Sequence, residues 1–408
     1  MEITPMLSAA NSVCAPKANN TRYRFLTPLK VDKLEKTTNT TVMEKPAEML
    51  VSLLRSSLND EPVNMEPFKN ASREDWDKLF NLSKESSVTG MALNATDKLP
   101  EGTVPKDIIM KMAKIQRESK IRHGEQEKIL GELSEMYGKK GIEIIQMKGL
   151  GLSMNYPIPT DRFGGDIDIF ARLKGTQTEK HSNAYTMIDD MMAEQGIEVE
   201  DRFLKNNKHS EFDYKGVRIE NHRYFVNKER IPGAEVLDDF LHKSINPHEQ
   251  ILPNGTKILV PSKEFNSVFL AHHAFQHYTS GGIDLHHLTD WSTHIKKNGL
   301  QLPEEVKDTP FERFTFALTN LSNRYLGTDV KVPEDKTFED KIFETLLHPE
   351  KNDMPAGLNK AQLLVYKAKR FAGRVKHSHE TTGMPIGKYI CDAIARKLRK
   401  PSELLAYK

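Results

Sequence analysis

Residues 147–170 read MKGLGLSMNYPIPTDRFGGDIDIF, and this stretch decides how the rest of the chain is read. Two aspartates, Asp166 and Asp168, stand one residue apart, between a pair of glycines and an apolar run. Residues two apart on a strand point to one face. Asp166 and Asp168 therefore share a face, and Gly165, Ile167 and Ile169 line the other. Two carboxylates this close repel each other unless one is protonated or a cation lies between them. Mg2+ resolves the conflict, because it binds through one or two carboxylates plus substrate phosphates. The pair alone is not diagnostic: 57 acids among 408 residues give roughly eight acid-x-acid pairs by chance. A strand end with two solvated acids reads the same way.

A third acid adds weight. In VRIENH, residues 217–222, Val217 and Ile219 face one way and Arg218, Glu220 and His222 the other. A neighbouring strand would bring Glu220 beside the aspartates. Three carboxylates from two strands hold two ions about 4 Å apart, one activating an attacking oxygen and one clamping a triphosphate. Replacing either aspartate by asparagine is then expected to leave stability intact or raise it, since repulsion is relieved. Upstream, QMKGLGLS reads as a strand end, Lys148-Gly149 and a helix start. That order suits phosphate approach: the glycine admits a close ligand, the helix start favours an anion, and the lysine adds charge.

Outward from this segment the chain divides into four parts. Residues 1–44, rich in Thr, Asn, Ser and Pro, read as a tail or loosely docked arm. Residues 45–140 read as an N-terminal helical region. KPAEMLVSLLRSSLND has helical apolar spacing, Ser72 offers an N-cap, and Pro105 opens a long helix running to about Lys140. Residues 141–260 read as a mixed α/β core. IEIIQM and GDIDIFAR are strands, and NAYTMIDDMMAEQGI is a helix ending at Gly196. Hairpins turn at Lys215-Gly216 and Asn254-Gly255. Residues 261–408 read as a C-terminal helical region. The fold class is α+β, a mixed sheet flanked by helices on both sides in sequence.

Composition narrows the function. A net charge of +2 points to no polyanionic partner from bulk electrostatics. Cys14 and Cys391 are the only cysteines, which excludes a disulfide framework and a cysteine-built zinc site and suits a reducing compartment. MEITPMLSAANSVCAPK has no continuous apolar segment, so no signal peptide is expected. No run of 18 apolar residues exists, so no membrane partner is expected, and a cytoplasmic location is.

The run from Met147 to Phe170 resembles the signature of the uncharacterised-nucleotidyltransferase family, within the DNA-polymerase-β-like superfamily. Its members read as strand, Lys-Gly, helix, Tyr-Pro, Arg and then Gly-Asp-Ile-Asp on the next strand, with a third acid later. Lys148, Gly149, Tyr156, Pro157, Arg162, Gly165, Asp166, Asp168 and Glu220 fit that order. The resemblance covers roughly residues 46–297 and implies transfer of a nucleoside monophosphate from an NTP, with Mg2+ (or Mn2+) as cofactor. Asp166, Asp168 and Glu220 would be the catalytic metal ligands. Lys148, Gly149 and Arg162 would hold phosphates. The acceptor stays open among small molecule, protein and RNA. A catalytically inactive nucleotide-binding or protein-interaction module on the same fold is the alternative.

Two positions depart from the family pattern. Gly149-Leu150 replaces the usual Gly-Ser or Gly-Gly pair, although Ser153 supplies a hydroxyl one turn on. In GGIDLHHLTDW, His286 stands where the family often has arginine. That segment belongs to a dense group of His272, His273, His277, His286, His287 and Asp290. His273 and His277 have the i,i+4 spacing of zinc ligands. This makes a histidine-metal hydrolase a third reading, although no His-Asp doublet or H-E-x-x-H is present. The simpler reading packs the histidines against the sheet or lines a cleft with them. The basic runs KAKRFAGRVKHSH and ARKLRKPSELLAYK read as solvated helix faces, with an RNA patch as the alternative.

Overall fold

The computed structural model describes residues 43–176, 183–202, 208–226, 234–280, 282–348 and 357–399. The expected N-terminal arm, apart from its last two residues, and the final nine residues lie outside them.

The N-terminal helices form where their ends are marked. Helix α1, Lys45–Asn59, has proline in its first turn and stops at Asp60 in the left-handed conformation. Helix α2, Arg73–Glu85, opens on a reciprocal cap between Ser72 and Asp75. Helix α3, Thr89–Thr96, was not expected. It carries Thr and Gly, has no side-chain cap, and is buried on most sides, so packing rather than local signal makes it helical. Helix α4, Lys106–Gly138, spans 33 residues from the expected Pro105 start.

The sheet holds six strands in the order β3-β4-β2-β1-β6-β5. They are β1 Ile142–Gln146, β2 Ile167–Leu173, β3 His209–Tyr214, β4 Val217–His222, β5 His248–Ile251 and β6 Lys257–Val260. The pairs β1–β2, β3–β4 and β5–β6 are antiparallel; β2–β4 and β1–β6 are parallel. The architecture is mixed α+β. Between β1 and β2 lies the short helix α5, Gly149–Ser153. Helix α6, Asn183–Glu194, leads from β2 towards the β3–β4 hairpin, whose turn residues Lys215 and Gly216 both have positive φ. Helix α7, Ala234–Ser244, lies between the two hairpins and was also not foreseen, although its apolar spacing is amphipathic.

The C-terminal region is helical as expected: α8 Lys263–Ser280, α9 Leu285–Asn298, α10 Pro310–Leu326, α11 Lys336–Leu347, α12 Lys360–Thr382 and α13 Ile386–Arg399. The basic run in α12 is mostly exposed.

Each face of the sheet has its own core. Ile144, Ile167, Ile169, Phe212 and Ile219 pack with Leu133 and Tyr137 of α4 and Ile188 of α6. Ile145, Met147 and Phe170 point the other way, into a larger core with Leu237 and Leu241 of α7 and Phe265 and Phe269 of α8. Strand alternation puts Asp168 on this second face, under the C-terminal helices.

Candidate functional site

Register decides which acids meet. In the parallel β2–β4 pair, Asp168 stands opposite Glu220, and Phe170 stands opposite His222. The antiparallel β3–β4 pair sets Glu211 against Glu220 and His209 against His222. One sheet face therefore carries Asp168, Glu220, His222, His209 and Glu211. Asp166 lies one residue before β2 rather than within it, because hydrogen bonding starts at Ile167. Its carboxyl still lies close enough to Asp168 and Glu220 to feel both charges.

The loop before Asp166 is held by α4. Gln126 Nε2 donates to the Gly165 carbonyl at 3.1 Å, and a side chain on Gly164 would strike Gln126 Oε1 at 2.4 Å. Gly164 thus lets the long helix grip the backbone that presents the acids.

Lys148 enters from the opposite side. It caps α5 at φ 42° and ψ −141°, a conformation that costs a non-glycine residue about 1–3 kcal/mol. Its Nζ lies 3.0 Å from Asp168 Oδ2, with the two side chains 12% and 2% exposed. Gln146 braces the same loop, its Oε1 accepting from the Gly151 N–H at 3.0 Å. Gly149, at φ +57°, has no room for a side chain, since a Cβ would lie 2.5 Å from Gln146 Nε2.

The charges are divided unequally. His222 Nε2 faces Asp168 Oδ1 at 3.0 Å and Glu220 Oε2 at 3.2 Å, and donates to both. Burial opposes ionisation of Asp168 and Glu220, yet Lys148 and His222 hold both below the usual carboxylate range. Asp166 goes the other way: the Asp168 charge, then burial, push it up to about 6. It is the acid that takes a proton first. Burial would lower Lys148, but the Asp168, Asp166 and Glu220 charges outweigh it and hold the ammonium above its ordinary value.

Two residues expected to hold phosphate have partners within the protein. The Arg162 guanidinium is 6% exposed and makes a two-pronged pair with Asp290, Nε to Oδ1 and Nη2 to Oδ2, each at 2.8 Å. Tyr156 donates its hydroxyl to Asp290 Oδ1 at 2.5 Å, and His286 Nε2 lies 3.3 Å from Asp290 Oδ2. Arg162 therefore locks the Tyr-Pro loop to α9, and its best donors are occupied. Ser153 is engaged in the same way. Its hydroxyl is buried, donates to the Leu150 carbonyl at 2.7 Å and faces His123 of α4 at 3.2 Å, away from the acids.

A model of the uncharacterised nucleotidyltransferase family matches residues 72–327. The chain belongs to that family. The match spans every residue of the acidic constellation, Lys148 and the Arg162–Asp290 pair. Among solved structures, the chain is similar to an antigenic nucleotidyltransferase-like protein from Paracoccidioides brasiliensis. That likeness has 12% identity and a TM-score of 0.33, covering 50% of this chain and 94% of that one. No curated protein matches. No helix among the described residues is long and apolar enough to cross a membrane.

In this nucleotidyltransferase-family chain the histidine group splits. His272 packs on Phe311 in the helical core. His286 joins Arg162 and Asp290. His273, His277 and His287 come together, with ring centroids 4.6, 4.7 and 5.4 Å apart. Burial, helped by Lys148 and neighbouring imidazoles, lowers His273 well below its ordinary value.

Lys208 is a further cation at the site, and no motif marked it. It stands just before β3, near the Phe269 ring, with Lys148, Glu220, Asp168 and Asp166 all felt at its ammonium. Burial, then Lys148, lowers it. His209 is a partial omission too: it lies 3.5 Å from Glu220, yet only the β3–β4 pairing brings it there.

Proposed function

We propose that the chain is a Mg2+-dependent nucleotidyltransferase, and the register that sets Asp168 against Glu220, with Asp166 beside them, carries this reading. The donor set suits a hard divalent cation: the Asp168 and Glu220 carboxylates lie within ligating reach of one another, with Asp166 beside them. Lys148 and His222 each take one oxygen of Asp168, but an ionised carboxylate has about four acceptor sites, so a cation can share it. When bound, Mg2+ or Mn2+ would neutralise phosphate charge and acidify the attacking hydroxyl.

The chain's own groups supply the rest. Lys148 is placed to release Asp168 to a cation and turn towards the triphosphate. Lys208 offers a second positive charge to the same polyanion. The acceptor oxygen would attack the α-phosphorus as its bond to the β-phosphate oxygen breaks, and pyrophosphate leaves. The acceptor proton passes to Glu220 or Asp166, the two site acids without a lysine contact. Arg162 acts at a distance, by fixing the Tyr156 loop to Asp290. Ser153 has no part in this reading.

The expected experiment supplies each labelled NTP with Mg2+ and a cell extract to the full chain. The reading requires label transfer with equimolar pyrophosphate, abolished in Asp166→Asn. A second reading, a nucleotide-binding module without transfer, draws on the closed Lys148–Asp168–His222 arrangement, which balances its charges with protein groups alone. NTP binding without pyrophosphate release would select it.

A further inference from the structure

We infer that His273, His277 and His287 form a second metal site, one for a zinc-class transition ion, separate from the acidic cluster. Helix α8 supplies His273 and His277 one turn apart, and α9 supplies His287 across from them. One nitrogen from each ring lies within 4.8 Å of the others. Zn–N bonds of 2.0–2.1 Å in a tetrahedral site put ligand nitrogens about 3.3 Å apart, so modest ring rotations close the triad on an ion.

The surroundings favour ligation over simple packing. His287 Nδ1 is held by Asp284, 3.0 Å from its Oδ1 and 3.4 Å from its backbone N–H, which leaves Nε2 for an ion. A carboxylate behind a ligating histidine is the usual device that fixes ring orientation and raises ligand basicity. Neither His273 nor His277 has a hydrogen-bond partner among the described residues; they meet only rings. The ring nitrogens of His273 and His277 are thus left available to an ion.

The ligand types separate the two sites. Imidazole suits zinc, copper, nickel and iron; carboxylate suits magnesium. No fourth histidine, cysteine or acid joins the triad among the described residues, so a coordination position stays open. Three protein ligands with an open position mark the catalytic rather than the closed structural kind of zinc site. Lys148 and Lys208 act on His273 and His277 electrostatically, which puts the triad beside the acidic cluster. The open position would take a water or an anionic oxygen of a bound ligand.

The test uses the untagged full chain, stripped with a chelator. Zn2+ is titrated against a chromogenic chelator, and Co2+ is followed by its visible absorption. The expected result is one Zn2+ per chain and a tetrahedral Co2+ spectrum. His277→Ala, at an exposed position, should weaken Zn2+ more than about 100-fold with unchanged circular dichroism. Asp284→Asn should weaken it about 10–100-fold. Asp166→Asn should leave it unchanged. Absence of stoichiometric Zn2+ or Co2+ binding by the wild type would overturn the site. So would equal affinity in His277→Ala, or loss of Zn2+ in Asp166→Asn, which would move the ion to the acids. The readout is binding, so the transferase reading stands or falls separately.

Discussion

The Lys148 ammonium lies 3.0 Å from the Asp168 carboxylate, which ties the loop after β1 to the strand that carries the acids. The two aspartates of Gly-Asp-Ile-Asp are therefore not equivalent. Asp168 is a buried ion-pair partner; Asp166 carries the repulsion.

Their asparagine variants should separate accordingly. Asp168→Asn strands the Lys148 charge, and breaking a buried pair costs about 3–5 kcal/mol. Asp166→Asn removes a repelled carboxylate and should be neutral or stabilising. This revises, for Asp168, the expectation that either change leaves stability intact or raises it. Urea unfolding of the metal-free proteins checks it; equal stability of the two variants contradicts it.

Gly149 and Gly165 make a matched pair. Gly149→Ala meets both a positive φ and Gln146 at 2.5 Å, and should cost about 1–3 kcal/mol. A Cβ on Gly165 meets nothing within 4 Å, so Gly165→Ala should stay within about 0.5 kcal/mol. Thermal unfolding of both decides. Comparable losses would mean that the Lys148 loop is not held as described.

Much of this was legible in sequence because the signals are local. Strand alternation in GDIDIF and VRIENH put Asp168 and Glu220 on their faces, and the Ser72 cap and both hairpin turns fell where turn chemistry demands. Long-range pairing was not legible. Arg162 and Asp290 are 128 residues apart, and nothing near either one says that they meet. A lone arginine before an acidic motif reads as a phosphate ligand until its partner is seen. The Ser153 contacts were hidden for a related reason: a helical hydroxyl one turn on points wherever the helix faces, here towards α4. Lys208 carries no pattern, since a single lysine before a strand is ordinary. Helix α3 is short and uncapped, so only its burial makes it helical.

Arg162→Lys should behave as a stability variant. Lysine cannot reproduce the two-pronged contact, and Asp290 would be left buried and under-paired. A loss of about 3 kcal/mol or more is expected by analogy with broken buried pairs. Denaturant midpoints measure it. An undiminished midpoint with lost nucleotide affinity would return the guanidinium to phosphate binding.

Asp161, in the same loop, gives a pH signature. Burial pushes its carboxyl up from 3.8 to about 6, against hydrogen bonds from Gln116 and Asn94. The folded chain holds this proton more tightly than the unfolded chain. Its stabilising contribution is therefore complete below about pH 4 and lost as pH rises through about 6. Two pKa units are worth about 3 kcal/mol. Asp161→Asn should gain on wild type by about that much between pH 4 and pH 7.5, read from urea midpoints. A pH-independent difference contradicts the buried acid.

The central claim is that the acidic face binds a metal-nucleotide. The most direct measurement is calorimetric titration of a non-hydrolysable NTP, with and without Mg2+, into wild type, Asp166→Asn and Lys148→Ala. Asp166→Asn is the informative variant, because its fold is expected to be intact. The account requires Mg2+-dependent binding by wild type, weakened by about 1–3 kcal/mol when Lys148 loses its charge and at least as much when Asp166 does. Wild type that binds no NTP, or equal affinity in all three proteins, would contradict it.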